Sequence, residues 1–499
     1  MKKKAFYLIG TFLLASGALF GCSTGSNTQS SSNGGTTSSE KKDEGPKKTI
    51  TYRSWDYGTA AQNNEERQLI KAFEEKENVI VKVVENPGTT EYWTNVLSSV
   101  VDKVDLADVF MLTSVPDALK VDGLLLNIKN MTDADAEFAK VPASVKDACA
   151  FKSGVYAVPA RMHMQGYFLN TKIIENNLNI SCRNIDANSS WSKLEEIIDK
   201  AYTVDGIIGL DKATQFPDLM PSMLDSTGQQ GYFTWDGSAY HLDEEPFIQS
   251  VQKAQALFNA KKTLDAYTDD EKTDMGIDIS FEQGYVADAW NKGKLAIRYG
   301  ATYQIADMLQ YNSSNYTYKF IGNPGGKTSI VGDYFGIYSG TEEPELAYKF
   351  AKWMSFGMDG FKKKMDIYEA NESIPNSLPM QDDEDLIADY FDRFGSSTEV
   401  KGLQEAYDRL AEHSMVEAAK VVPNFFSSRQ SAVLKNVSYS YMIGDTECHE
   451  EDPTMFTLIN DCCVHSVDIT NYTSDTFNIN TIANNQYKGW MKTYGNKYE

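Results

Sequence analysis

Apolar and polar positions along this chain follow two alternating periods. Ile50-Thr51-Tyr52-Arg53-Ser54-Trp55 alternates residue by residue, as a strand with one covered face does. From Asn63 to Lys76 the period becomes helical, with Leu69, Ile70 and Phe73 on one face and charges opposite. Val79 to Val84 predicts a second strand and Glu91 to Val101 a second helix. Leu106 to Leu112 is a continuous apolar run, the kind buried on both faces of a parallel sheet. Strand, helix, strand, helix, strand in that order predicts an α/β domain. Ligands of such sheets lie beyond the carboxyl ends of the strands. That rule points to Trp55, Asp56 and Tyr57 after the first strand and to Thr113 and Ser114 after the third.

Further on, Gly154 to Pro159 reads as a strand running into Arg161 and His163, and Gly166 to Asn170 as a separate one. Trp191 to Ala201 predicts a helix capped by Ser190. Phe281 to Met308 is the densest stretch. Phe281, Tyr285, Ala289 and Trp290 return at helical spacing, Leu295-Ala296-Ile297 is a short buried strand, and Gly300 starts a turn before another helix. This puts Arg298, Tyr299 and Tyr303 at a strand end, where they could stack on a flat ligand and hydrogen-bond to it. Ile330 to Ile337 is a strand carrying Asp333 and Tyr334. Pro344 to Gly357 is an amphipathic helix, and Trp353 on its apolar face is read as core. The chain from about Ser373 to Cys463 is expected to be mostly helical, and Val464 to Glu499 has no clear pattern.

The N-terminus changes the picture. Lys2, Lys3 and Lys4 precede an apolar run, Ala5 to Phe20, that is short for a membrane span. It ends in Leu19-Phe20-Gly21-Cys22, which resembles a bacterial lipobox with Cys22 as the lipid-modified residue. Residues 1–21 are then a lipoprotein signal peptide and residues 22–47 a polar tether reaching on the order of 25–30 Å. Five cysteines remain: Cys149, Cys182, Cys448, Cys462 and Cys463. An odd count disfavours a full disulfide framework, and no spacing fits a metal site. The 499 residues suffice for two or three domains. The formal net charge of −23 disfavours nucleic acid or an anionic membrane surface as partner.

In this order, the segments TITYRSWDYG, LADVFML, GVYAVPARMHMQGYFLNTKII, AWNKGKLAIRYGATYQIADML, VGDYFGIYSG and ESIPNS resemble the extracellular solute-binding proteins of ABC importers, in the cluster typified by maltose-binding protein. The resemblance spans residues 47–450. It implies an α/β, two-lobed periplasmic-binding-protein-like fold (type II) with hinge strands and an interlobe ligand cleft. Lobe 1 would take residues 48–161 and 319–372, and lobe 2 residues 162–318 and 373–499, with crossings near Arg161, Lys319 and Ser373. Carried over position by position, it assigns ligand contact to Trp55, Asp56, Tyr57, Thr113, Arg161, His163, Phe216 (with Gln215), Arg298, Tyr299, Tyr303, Asp333, Tyr334 and Phe426. It implies no cofactor and no catalysis. It also implies a mono- or oligosaccharide ligand, ABC permease subunits as partners, a monomer, and lipid anchoring at the outer face of the bacterial cytoplasmic membrane.

The residue types suit that role, since rings can stack on the C–H face of a pyranose while Asp, Arg, His and Gln pair with its hydroxyls. Three alternatives stay open. One is a binding protein for a non-sugar solute, or for an acidic sugar if Arg161 and Arg298 share the cleft. Another is a sensor subunit. The third is a secreted glycoside hydrolase, which needs two carboxylates across a cleft from among Asp56, Glu91, Glu282 and Asp333.

Overall fold

The structure is a computed structural model that describes residues 46–55, 63–85, 91–102, 106–310, 317–395 and 400–498. The leader, Cys22, Asp56 and Tyr57 lie outside the described residues. No helix among the described residues is long and apolar enough to cross a membrane.

Strand β1 (Thr49–Arg53) is followed by a helix, Glu65–Glu77, whose first turn is capped by the Asn64 side chain and whose end is marked by Asn78 at φ 54°. Leu69, Ile70 and Phe73 form its buried face, as their spacing predicts. β2 (Ile80–Val83) and β3 (Val109–Leu112) flank β1, both parallel to it. A small hairpin, β4 (Ala150–Phe151) and β5 (Gly154–Val155), leads into β6 (Ala157–Asn170), a single strand of 14 residues. β7 (Ile208–Leu210) pairs parallel with β8 (Leu295–Ala301), which pairs antiparallel with β6. β9 (Tyr318–Phe320), β10 (Thr328–Ile337), β11 (Val400–Lys401) and β12 (Ser414–Val416) complete a ten-stranded mixed sheet whose main path runs β11-β9-β6-β10-β3-β1-β2.

β6 and β10 form the spine. The first half of β6 pairs with β10, and its second half with β8 and β9. β10 reaches β3 at one end and β12 at the other. Two hydrophobic cores flank this spine. The first gathers Tyr52, Phe73, Val109, Tyr334, Phe350 and Trp353, and extends to Trp290, Tyr318 and the segment from Leu378 to Leu410. The second gathers Tyr167, Leu194, Phe216, Phe233, Phe247, Leu458 and Ile479. Trp353 is buried as expected and donates its Nε1–H to the Leu69 carbonyl at 3.1 Å.

Several sequence expectations change. The two strands expected at Gly154–Pro159 and Gly166–Asn170 are one continuous β6, and Gly300 lies inside β8 instead of starting a turn. Gly166 and Gly300 face each other across the sheet. A Cβ at Gly166 would meet the Gly322 backbone at 2.4 Å, so this glycine serves close approach of two backbone segments and not a bend. The helix expected from Phe281 begins at Tyr285, after Gly284 at φ 87°. Ser190 precedes the helix Trp191–Ala201 but bonds the Ser192 hydroxyl at 2.6 Å instead of capping it.

The helical expectation from Ser373 to Cys463 fails at β13 (Ser438–Ile443) and β14 (Thr446–Glu451), an antiparallel hairpin turning at Gly444 with φ 58°. The tail contains a helix, Ile479–Thr493, capped by Asn478. Cys149, Cys182, Cys448, Cys462 and Cys463 are all free thiols, and all but Cys448 are buried.

Candidate functional site

The site is built where β6, β8, β10 and β12 meet between the two cores. Gly293 at φ 67° ends the helix Tyr285–Asn291 and releases the chain into β8. Successive side chains of β8 then point to opposite faces. Arg298 turns inward and is 9% exposed, and burial holds its guanidinium below its ordinary range. Asp211, whose carboxyl is pushed up to about 6 by burial, is the first of the acidic groups acting on it. Gln215 is buried and donates to Asp211 at 3.4 Å. Phe216 has no exposed surface and packs edge-on against Trp191 at 4.9 Å. Tyr334 is likewise enclosed in the first core. Arg298, Phe216 and Tyr334 are all buried: β8 and β10 carry Arg298 and Tyr334 inward, and Phe216 packs inside from the short helix Phe216–Leu219.

Tyr299, the neighbour of Arg298, is half-buried, and its hydroxyl donates to Gln165 Oε1 at 3.0 Å. The Ser329 hydroxyl donates to the same oxygen at 3.3 Å. Tyr303 sits edge-on to His163 at 5.4 Å, and burial pushes its phenol up to about 12. His163 itself is buried, with Nδ1 3.3 Å from the Thr302 hydroxyl. Burial, reinforced by the Arg161 charge, lowers its pKa to about 3 and keeps the imidazole neutral. It supports Tyr303 from behind. Asp333 on β10 lies opposite Arg161 on β6, and its carboxylate is 3.5 Å from Lys420 Nζ.

β12 delivers residues that the sequence reading missed. Glu417 follows it directly, held by its N–H to the Ile330 carbonyl at 3.0 Å. Glu417 is half-buried, and burial raises its carboxyl pKa, with Asp218 and Asp333 adding to the rise. Lys420 and Arg429 oppose that rise, while Lys420 also pairs with Asp333 and Arg429 with Asp218 at 2.7 Å. Arg429 is also stacked over Phe233 at 4.5 Å and near Phe425 at 5.6 Å. Tyr232 donates to the other Asp218 oxygen at 3.3 Å. Glu417 and Lys420 stand three residues apart at the start of a short helix, Ala418–Val421, a spacing that was visible as a charged pair in an otherwise apolar segment. Asp218 lies two residues past Phe216, on the same helix Phe216–Leu219.

The facing wall comes from the β1–β3 side. Trp55 is half-buried and meets Tyr92 edge-on at 4.9 Å. The Tyr92 hydroxyl is fixed by the Met111 carbonyl at 2.9 Å. Thr113 is exposed just beyond β3. Arg161 Nη2 is 3.8 Å from the buried Glu66. The walls meet at Asn424, which donates its N–H to Asp117 at 3.0 Å and accepts from Lys120 Nζ at 2.7 Å. Phe426 is 50% exposed beside Phe425. Glu91 and Glu282 are exposed.

Two α/β lobes built on shared strands, with rings and hydrogen-bonding groups between them, define a two-lobed binding protein. The chain belongs to the bacterial extracellular solute-binding protein family, whose sequence profile matches residues 57–356. No curated protein sequence matches it closely. Solved structures share the fold at low identity. The ABC substrate-binding protein Lmo0181 from Listeria monocytogenes, in complex with cycloalternan, is 15% identical with a TM-score of 0.60, covering 90% of this chain and 100% of its own. The GacH receptor of Streptomyces glaucescens, known unliganded and with acarbose, is 14% identical with a TM-score of 0.55, covering 90% and 100%. The cyclic alpha-maltosyl-1,6-maltose binding protein from Arthrobacter globiformis is 12% identical with a TM-score of 0.59, covering 88% and 100%.

Proposed function

We propose that this protein captures a carbohydrate between its lobes and delivers it to the permease subunits of an ABC importer. The observation that carries this reading is the composition of the cleft: half-buried Trp55, Tyr299 and Tyr303 alongside Gln165, Asp333 and Glu417. Rings give a stacking surface, and the polar groups accept from hydroxyls. The saccharide ligands named for the similar structures support the same class. The lobes divide near Arg161, Lys319 and Ser373, and these crossings absorb closure. No bond of the ligand is broken. Cys22 anchors the mature chain at the outer face of the cytoplasmic membrane, and residues 23–47 tether it there as a monomer.

Glu417 narrows the ligand class. Its carboxylate lies among Asp218 and Asp333 as well as Lys420 and Arg429, and this acidic group disfavours a second anion. Arg298 is inside the protein and Arg161 faces Glu66, which removes the basis for a uronate. The ligand is a neutral sugar. A thermal-shift screen against neutral, amino and acidic saccharides, followed by calorimetry, tests this. A micromolar ligand at millimolar dose stabilises by about 4 kcal/mol. A shift with a neutral series that Glu417→Gln weakens is the expected outcome. Shifts only with acidic sugars would overturn the charge argument, and shifts only with amino acids or peptides would overturn the carbohydrate reading.

A further inference from the structure

The tail of the chain touches both lobes. The helix Ile479–Thr493 is rooted in the second core, where Ile479 and Ala483 are buried. Asn480 and Asn484 accept the N–H groups of Leu242 and Tyr240 at 3.1 and 2.9 Å, and Asn484 donates back to the Tyr240 carbonyl at 3.0 Å. This end replaces backbone partners of the second lobe and is firmly held. The other end crosses over. Trp490 meets Phe151 edge-on at 5.5 Å. Tyr498 donates to the Leu119 carbonyl at 2.7 Å and lies against Tyr156 at 5.6 Å. Lys497 Nζ is 2.9 Å from Asp122, an exposed pair. Leu119 and Tyr156 belong to the first core.

We propose that Lys497 and Tyr498 form a latch that favours the closed arrangement of the lobes and slows ligand release. The inference rests on the two-lobe division above. Opening must move the Leu119–Asp122 segment away from the second lobe, and the tail then has to let go at one end. The end at Tyr498 is the weaker one: edge-on ring contacts with Tyr156 and Phe151, one hydroxyl bond and one solvated ion pair. It docks a few residues from Asp117 and Lys120, which make the Asn424 contact between the walls. The latch and that contact therefore break together. Contacts present only in the closed form shift the equilibrium by their own free energy.

The test needs no ligand. The Asn424 amide is protected by a bond to Asp117 that crosses the walls, so its hydrogen exchange reports opening. In the full-length protein, Tyr498→Ala should speed exchange of the peptide carrying Asn424 about tenfold, the effect of losing roughly 1.4 kcal/mol of closed-state contact. Amides of the helix Met455–Val464 in the second core should not change. Lys497→Ala, which removes only an exposed pair, should give about twofold or less. Unchanged exchange at Asn424 in Tyr498→Ala overturns the latch, and so does a rise spread evenly over both cores, which would mark a stability contact. If a saccharide ligand is in hand, Tyr498→Ala should raise its dissociation rate by the same factor. The exchange result stands whether or not the carbohydrate reading does.

Discussion

The two walls of the cleft are made differently. The wall of the second lobe is a prepared polar surface: Tyr232, Asp218 and Arg429 are joined in series, Arg429 is stacked over rings, and Tyr299 and Ser329 share Gln165. Among the described residues, the wall of the first lobe offers Trp55 braced by Tyr92, with exposed Thr113 beyond β3. A pre-organised surface binds without first ordering its own side chains, whereas a ring such as Trp55 contributes mainly apolar area. The difference predicts an order in which solute meets the second lobe first and the first lobe closes over it.

The sharpest way to break this contrast is Arg429→Ala. It leaves Asp218 poorly hydrated and without its cation, so urea unfolding should show a loss of about 3 kcal/mol. Adding Asp218→Asn should recover most of it, because the stranded charge is gone. Equal losses in single and double variants would mean that the series is not a unit. Trp55→Ala tests the other wall. It should cost under 1 kcal/mol of stability, since the ring is half-buried, but about 2 kcal/mol of ligand affinity, near thirtyfold by calorimetry. The loss should appear in the dissociation rate if the first lobe acts as the closing surface.

That asymmetry also explains what could be read from the sequence. The βαβ order, the buried faces of Leu69, Ile70 and Phe73, and Trp353 as core follow from local periodicity, and they hold. Trp55 and Thr113 follow from the rule about strand ends, which is also local. The second wall depends on pairings between segments far apart: β12 brings Glu417 beside β10, and Arg429 reaches Asp218 across 211 positions, from 218 to 429. No periodicity carries that information. The burial of Arg298 and Tyr334 is equally hard to read, because one residue of register decides whether a strand side chain meets core or cleft. The hairpin at 438–451 was missed although Ser438-Tyr439-Ser440-Tyr441 alternates, since its neighbours are helical.

His163 sharpens the comparison through pH. Its pKa in the folded protein, about 3, is depressed below the unfolded value near 6.5. The unfolded state therefore binds a proton first as pH falls. Stability from the neutral imidazole is complete above pH 6.5 and is lost as pH drops from 6.5 toward 3. Relative to His163→Asn, the wild type should lose about 1.4 kcal/mol per pH unit below 6.5. Asp211, raised to about 6, acts oppositely in both proteins and cancels in that difference. A flat difference from pH 7 to 5 would show that His163 is solvated, and with it the Tyr303 side of the second wall.

The smallest effect probes the second wall at a single atom. Tyr299→Phe removes the hydroxyl that donates to Gln165 Oε1 and leaves the ring. Gln165 keeps the Ser329 hydroxyl as a donor, so no buried acceptor is stranded and stability should fall by no more than about 0.5–1 kcal/mol. Ligand affinity should fall about fivefold, because the Gln165 amide loses the partner that fixes its orientation toward the cleft. A conserved on-rate with a faster off-rate would assign Tyr299 to the closed complex. A slower on-rate would assign it to first encounter, as a pre-organised second wall requires, and an equal change produced by Thr113→Val on the first wall would remove the distinction between the two surfaces.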